Sequence, residues 1–209
     1  PGTKEGTSSA KVSREHTVAS PTPGLTVIAG GKLTTYRVMA KDAVDFAIGE
    51  RAATLPSITD KIPLAGAEGH DVMQRQSRRI STEHGWSQAM IDHLLHRYGS
   101  LLTEIIDLVH EDPSLGKPLE GAPAYLRAEV AYAASHEGAL HLEDVMLHRT
   151  RLVYEQRDRG LGAIDEIAAL VAPRLGWDAE RTAKEIASYR ARCEADEAAS
   201  FQRGDAEAE

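Results

Sequence analysis

The residues best placed to do chemistry lie in one stretch, Gly24-Leu-Thr-Val-Ile-Ala-Gly-Gly-Lys-Leu-Thr-Thr-Tyr-Arg37, and what they suggest is anion binding. A short apolar strand, Leu25 to Ala29, runs through two glycines into a helix predicted to open near Thr34. Gly30 and Gly31 carry no Cβ to hold a ligand off the backbone, and the first N–H groups of a helix lack internal acceptors. The positive end of the helix dipole, with Lys32 beside it, favours negative charge. The stretch is not a P-loop, which needs a glycine five residues before the Gly-Lys pair and a hydroxyl residue after the lysine. Thr26 and Leu33 stand there instead. No G-x-G-x-x-G joins a strand to a helix, so a complete dinucleotide-binding fold is not expected. On the residues alone, a tight strand-to-helix turn without a ligand competes evenly with an anion site.

Other chemistry-bearing groups are weaker. His93-x-x-His96 lies on a predicted helix but lacks H-E-x-x-H or a carboxylate at ligand spacing, so no metal site is expected. Cys193 has no base beside it and reads as a packing residue. His136-Glu137 falls at a helix end, where an imidazole suits the negative pole. Arg149, Arg151, Arg157 and Arg159 form a basic cluster expected to pair with neighbouring acidic helices.

The elements that must position these groups change character along the chain. Lys11 to Val18 is strand-like, Leu25 to Ala29 is a second strand, and Val38, Met39, Ala43, Val44, Ala47 and Ile48 give a helix from Thr34 an apolar face up to a cap at Gly49. A connector punctuated by proline and glycine follows. From His70 helices are predicted at Asp71–His84, Ser87–Arg97, Leu101–His110, Tyr125–His136, Leu142–His148, Leu161–Leu175 and Asp178–Phe201. Ser87 and Asp178 look like N-caps, and Gly85, Gly99 and Gly176 like stops. Residues 112–123 are too rich in proline and glycine for a helix and are predicted to be a loop. The fold class is therefore α+β, mostly α, divided as 1–49, a linker at 50–69, and an all-α bundle at 70–209.

Composition narrows the function classes. A formal charge of −8 without a concentrated basic surface argues against broad nucleic-acid binding. A hydrophobic content of 42% is ordinary for a globular protein, and no apolar run reaches the length of a membrane span. The single cysteine excludes an intramolecular disulfide and fits a reducing compartment. The polar opening, Pro1 to Ala10, has no apolar core of the kind a signal peptide needs, and none is expected. Two strands alone make a marginal sheet, so the chain is expected to be the C-terminal piece of something longer.

Three segments in order carry a resemblance: Ser13-Arg-Glu-His16; Gly30-Gly-Lys-Leu-Thr-Thr-Tyr-Arg37 with Met39-Ala40-x-Asp42; and Tyr125-Leu-Arg-Ala-Glu-Val-Ala-Tyr132 through His136-Glu137 and Leu142-Glu-Asp-Val145 to Arg149-Thr-Arg-Leu152. Together they resemble the C-terminal part of the FAD-dependent, quinone-linked glycerol-3-phosphate dehydrogenases. The resemblance implies that residues 1–49 close an FAD-binding domain and that a helical cap domain follows. It implies FAD contacts at Gly30, Gly31, Lys32, Leu33 and Thr34, with the helix end facing the N1/C2-carbonyl side of the flavin, where the anionic reduced ring would be stabilised. It makes Lys32 the candidate catalytic residue and a second contact to the substrate, and it sets Arg14 against the phosphate of sn-glycerol 3-phosphate. The reaction implied is oxidation of that substrate to dihydroxyacetone phosphate, with electrons passing to quinone at the cytoplasmic face of a membrane, where the enzyme is held peripherally. It further implies a preceding FAD domain as partner and is compatible with a homo-oligomer. Glu129, His136, Glu137, Arg149 and Arg151 read as structural or interfacial, and His148 departs from the arginine common at its position. Without the preceding domain the chain is expected to bind flavin negligibly and to be inactive. The alternative is a freestanding helical interaction module without catalysis; a related FAD oxidase acting on an amine fits less well, because those relatives usually lack a helical cap.

Overall fold

A computed structural model describes residues 15–206. It is α+β and mostly α, with a division into two compact units between Leu64 and Ala65.

The first unit is a hairpin and a helix. β1 (His16–Thr22) pairs antiparallel with β2 (Leu25–Gly30), His16 lying opposite Gly30 and Val18 opposite Ile28. The predicted first strand is thus displaced toward the turn, and its residues 11–14 lie outside the described residues. Its partner is the strand that follows it. After the glycines a single 3₁₀ turn, Leu33–Thr35, precedes α1 (Tyr36–Ile48), so the helix proper opens two residues later than Thr34. Gly49 supplies the C-cap. None of the residues of α1 is buried, and Val38, Val44 and Phe46 are exposed. Arg37 ties the following segment down, its guanidinium donating to the carbonyls of Thr59 and Ile62 (2.8 Å to the latter).

The second unit is helical, and its apolar interior falls into two clusters. Its elements are α2 (His70–His84), α3 (Gln88–Tyr98), α4 (Leu102–Glu111), a short antiparallel pair β3 (Pro118–Leu119) and β4 (Ala122–Leu126), α5 (Arg127–Ser135), α6 (Leu152–Glu155), α7 (Ile164–Leu175) and α8 (Ala179–Ala206). α5 is the axis, with every residue from Ala128 to Ala134 buried. Its alanines let neighbours approach from both sides, and a helix buried all round must be central. Val130 and Ala133 pack with Leu142, Met146, Ile164, Ile167 and Val171, while Ala128, Ala131 and Tyr132 pack with Ile91, Leu94, Leu102 and Ile105. Cys193 is buried in the first of these clusters, as a packing residue should be.

Several predicted boundaries follow their capping chemistry. The Ser87 side chain accepts from the Met90 N–H (3.1 Å) and that of Asp178 from the Arg181 N–H (2.7 Å), while Gly85, Gly99 and Gly176 end α2, α3 and α7. Three expectations need correction. The 112–123 loop contains a 3₁₀ turn at Pro113–Gly116 and half of the small hairpin. The helix predicted from Tyr125 starts at Arg127, because residues 122–126 are held extended as β4 and Glu129 caps from inside by accepting the Leu126 N–H (2.8 Å). The helix predicted at Leu142–His148 is a wider π turn over Asp144–Arg149. Thr150 holds it open, donating from its N–H (2.8 Å) and its hydroxyl (2.7 Å) to the Val145 carbonyl five residues back.

Candidate functional site

The glycine turn of the first unit presents its lysine to solvent. Gly30 and Gly31 have φ near +84° and +83°, a conformation that L side chains rarely adopt. A Cβ on Gly30 would come within 2.7 Å of the Glu15 carbonyl oxygen, and one on Gly31 within 2.4 Å of the Met39 sulfur. Before any ligand is considered, turn geometry therefore calls for glycine at both positions, and at Gly30 so does close packing against the Glu15 backbone.

Past the glycines, Lys32 is extended (φ −125°, ψ 148°) and its carbonyl accepts from both the N–H and the hydroxyl of Thr35 (3.0 Å each). The N–H groups of Leu33 and Thr34 precede the first N–H that finds an acceptor inside the turn, that of Thr35. Lys32, Leu33 and Thr34 are exposed, Leu33 by 89%, and the Lys32 ammonium has no partner among the described residues. Free donors beside an unpaired cation suit an anionic or electron-rich ring edge, so this donor set fits a flavin. The turn is braced from behind, where His16 Nε2 lies 2.8 Å from Asp42 Oδ2. That contact ties together two of the resemblance-carrying segments. The structure brings Gly30, Gly31, Lys32, Leu33 and Thr34 into one turn. Arg14 lies outside the described residues.

A second set of polar groups converges in the helical unit. The Glu129 carboxylate is fully buried and accepts from the Leu126 N–H and the Tyr98 hydroxyl (3.2 Å), with His93 Nε2 at 2.8 Å. Burial and the Glu129 charge push the Tyr98 phenol far above its usual range. Arg149 Nε donates to the Glu137 carbonyl (2.8 Å), and Arg97 donates to the Arg149 carbonyl. Of the arginines at 149, 151, 157 and 159, only Arg159 forms an ion pair among the described residues, with Asp196 at 3.2 Å. The expected wider pairing is not found, since the acidic helices lie beside other arginines such as Arg192 and Arg181. Among the described residues no group of three or more potential ligands could hold a metal, and His93 is engaged with Glu129 instead. The Glu129 centre was not legible as a unit, because its members lie up to 36 residues apart.

Burial raises the Glu137 carboxyl above its ordinary value of 4.5, while Arg97 and Arg149 oppose the shift. A carboxyl raised in the folded state stabilises while it is protonated, and that contribution is lost as pH rises through the folded value. Glu137→Gln should therefore match the wild type at low pH and become progressively more stable than it above about pH 4.5, the difference levelling off once the pH has passed the folded value. Urea unfolding at several pH values checks this, and a pH-independent difference would contradict it.

No helix among the described residues is long and apolar enough to cross a membrane. Comparison with known proteins accounts for both units. The chain is 45% identical over 206 residues, 98% of its length, to glycerol-3-phosphate dehydrogenase 2 of Mycobacterium tuberculosis. It is 44% identical over the same span to glycerol-3-phosphate dehydrogenase of Mycobacterium leprae, and 34% identical over 193 residues to a mitochondrial glycerol-3-phosphate dehydrogenase of Arabidopsis thaliana. It spans 35% of the length of the mycobacterial relatives and 30% of that of the plant one. Residues 57–182 match the profile of the C-terminal domain of alpha-glycerophosphate oxidase. On that match the chain belongs to the family of the alpha-glycerophosphate oxidase C-terminal domain, with glycerol-3-phosphate dehydrogenases as its relatives.

Proposed function

We propose that this chain is the C-terminal part of a flavoenzyme that oxidises sn-glycerol 3-phosphate to dihydroxyacetone phosphate and passes the electrons to quinone. The observation that carries the reading is the Gly30-Gly31-Lys32 turn, with the N–H donors of the 3₁₀ turn that follows it beside an exposed, unpaired ammonium, in a chain similar to glycerol-3-phosphate dehydrogenases along 98% of its length. Residues 1–49 would complete the FAD domain, 50–69 would link, and 70–209 would form the helical cap.

FAD, once bound, supplies the two-electron acceptor. The chain's own part is electrostatic. Lys32 and the N–H groups of Leu33 and Thr34 hold fixed positive potential where negative charge develops, and Gly30 and Gly31 set the backbone course that aims them. Arg14, two residues before His16, would pair with the substrate phosphate through its planar fork, with Lys32 touching the same substrate. The preceding FAD domain is the obligate partner. A cytoplasmic, peripheral position on the membrane fits delivery of electrons to a lipid-soluble acceptor.

Anaerobic mixing of the full-length protein with glycerol 3-phosphate tests the reading. Bleaching of the flavin band with stoichiometric dihydroxyacetone phosphate is expected. A flavin that stays oxidised with this substrate but bleaches with an amine would assign a different oxidation.

A further inference from the structure

The polar groups of the helical unit surround a cavity of about 370 Å³. Arg97 reaches it from the end of α3, Glu137 from just beyond α5 and Arg151 from just before α6, with His93, His96 and Glu155 completing the polar wall. Two atoms of this wall, Arg97 Nε and Glu137 Oε2, are buried without a hydrogen-bond partner. Buried charged groups left unpaired are costly, so such pairs of orphans are uncommon in a folded protein. One is a donor and the other an acceptor, yet they form no ion pair with each other.

Their neighbours explain why. The Arg97 guanidinium donates to the Arg149 carbonyl and lies against the Tyr98 and Tyr125 rings, 5.8 and 5.9 Å from their centroids. The main chain at Glu137 is fixed by the bond from Arg149 Nε. Arg97 is thus anchored through its guanidinium and Glu137 through its main chain, which leaves Arg97 Nε and the buried Glu137 Oε2 without partners. Arg151 adds backbone strain. Its φ is +64°, although it is not glycine, and its side chain is exposed and without a partner among the described residues. A left-handed arginine held at a cavity wall by the Thr150 clamp fits a position kept for its guanidinium. Glu155 is already engaged by the Tyr125 hydroxyl (2.6 Å), and His93 by Glu129, so the free capacity lies with Arg97, Arg151, His96 and Glu137.

We propose that this cavity binds a small hydroxylated oxyanion, whose phosphate or carboxylate is taken by Arg97 Nε and the Arg151 guanidinium while its hydroxyl donates to Glu137. A bare inorganic anion would leave the Glu137 oxygen unmet, and a neutral polyol would leave the arginine charge uncompensated. One molecule carrying both groups serves both orphans, and the volume lies at the small end of ligand pockets. The proposal is independent of the flavin reading.

The test uses the 209-residue chain, with glycerate, glycerol 2-phosphate and glycerol as probes, and follows the His93 and His96 imidazole resonances by NMR. At least one of the two anions should give saturable shifts at both histidines, and glycerol should give none at the same concentration. A response to glycerate alone identifies a carboxylate ligand, and a response to glycerol 2-phosphate alone a phosphate. Arg151→Gly should keep the fold, because glycine is at ease at this φ, and should weaken binding by about tenfold through loss of one charge-assisted contact. Arg151→Gln, which keeps the side-chain length, should weaken it equally. No saturable shift with either anion, or undiminished affinity in both Arg151 variants, would overturn the proposal.

Discussion

Glu129→Ala lowers the unfolding free energy of the helical unit by about 3–5 kcal/mol, the range for removing one partner from a buried charged centre. The size of the effect follows from what the carboxylate holds. With 0% exposure it accepts from the Leu126 N–H that begins α5, from the Tyr98 hydroxyl on α3, and lies within hydrogen-bond distance of His93 on the same helix. Alanine would strand the Leu126 N–H and the Tyr98 hydroxyl away from water and open a cavity at the start of the central helix. Glu129→Gln keeps an acceptor for the Leu126 N–H and should cost clearly less. Urea unfolding followed by far-ultraviolet circular dichroism reads both variants. A loss below about 1 kcal/mol in Glu129→Ala would mean that the centre is not a structural keystone.

Lys32→Ala in the full-length protein slows flavin reduction by glycerol 3-phosphate by about 10²–10³-fold, as expected on removing one preorganised positive group from developing negative charge. Its effect on stability should stay within about 0.5 kcal/mol, because Lys32 is exposed and has no partner among the described residues. Lys32→Arg, which keeps the charge, should recover part of the rate. Stopped-flow absorbance and thermal unfolding separate the two quantities. If rate and stability fell together, the lysine would be structural and the flavin role wrong.

The parts legible in the sequence are those governed by local rules. The glycine turn lies where the apolar strand and the helical periodicity meet, and the caps at Ser87 and Asp178 and the stops at Gly85, Gly99 and Gly176 need only a few adjacent residues to be recognised. What local rules missed depends on distant partners. The π turn at Asp144–Arg149 is set by the Thr150 clamp, and the short α6 follows an arginine whose positive φ no pattern announces. β4 runs extended through Ala122–Leu126, although Tyr125 and Leu126 continue the helical pattern, and its partner Pro118–Leu119 lies in a stretch that reads as loop. The inward-capping glutamate was hidden because Leu126, where a Ser or Thr would mark a capping box, carries no hydroxyl. At the candidate site, the residue types of the turn could be read directly. The His16–Asp42 brace, 26 residues apart in sequence, could not.

We propose that the Gly30-Gly31-Lys32 turn is one side of a flavin pocket, the other side belonging to the longer protein of which this chain would be a part; the chain spans 35% of the length of its mycobacterial relatives. Flavin content measures this most directly, by absorbance of the purified 209-residue chain titrated with FAD and of the full-length protein that contains it. A colourless chain with no saturable FAD binding and a full-length protein carrying stoichiometric flavin are expected. Stoichiometric flavin in the isolated chain would mean that the turn belongs to a complete pocket, and a folded full-length protein without flavin that it belongs to none.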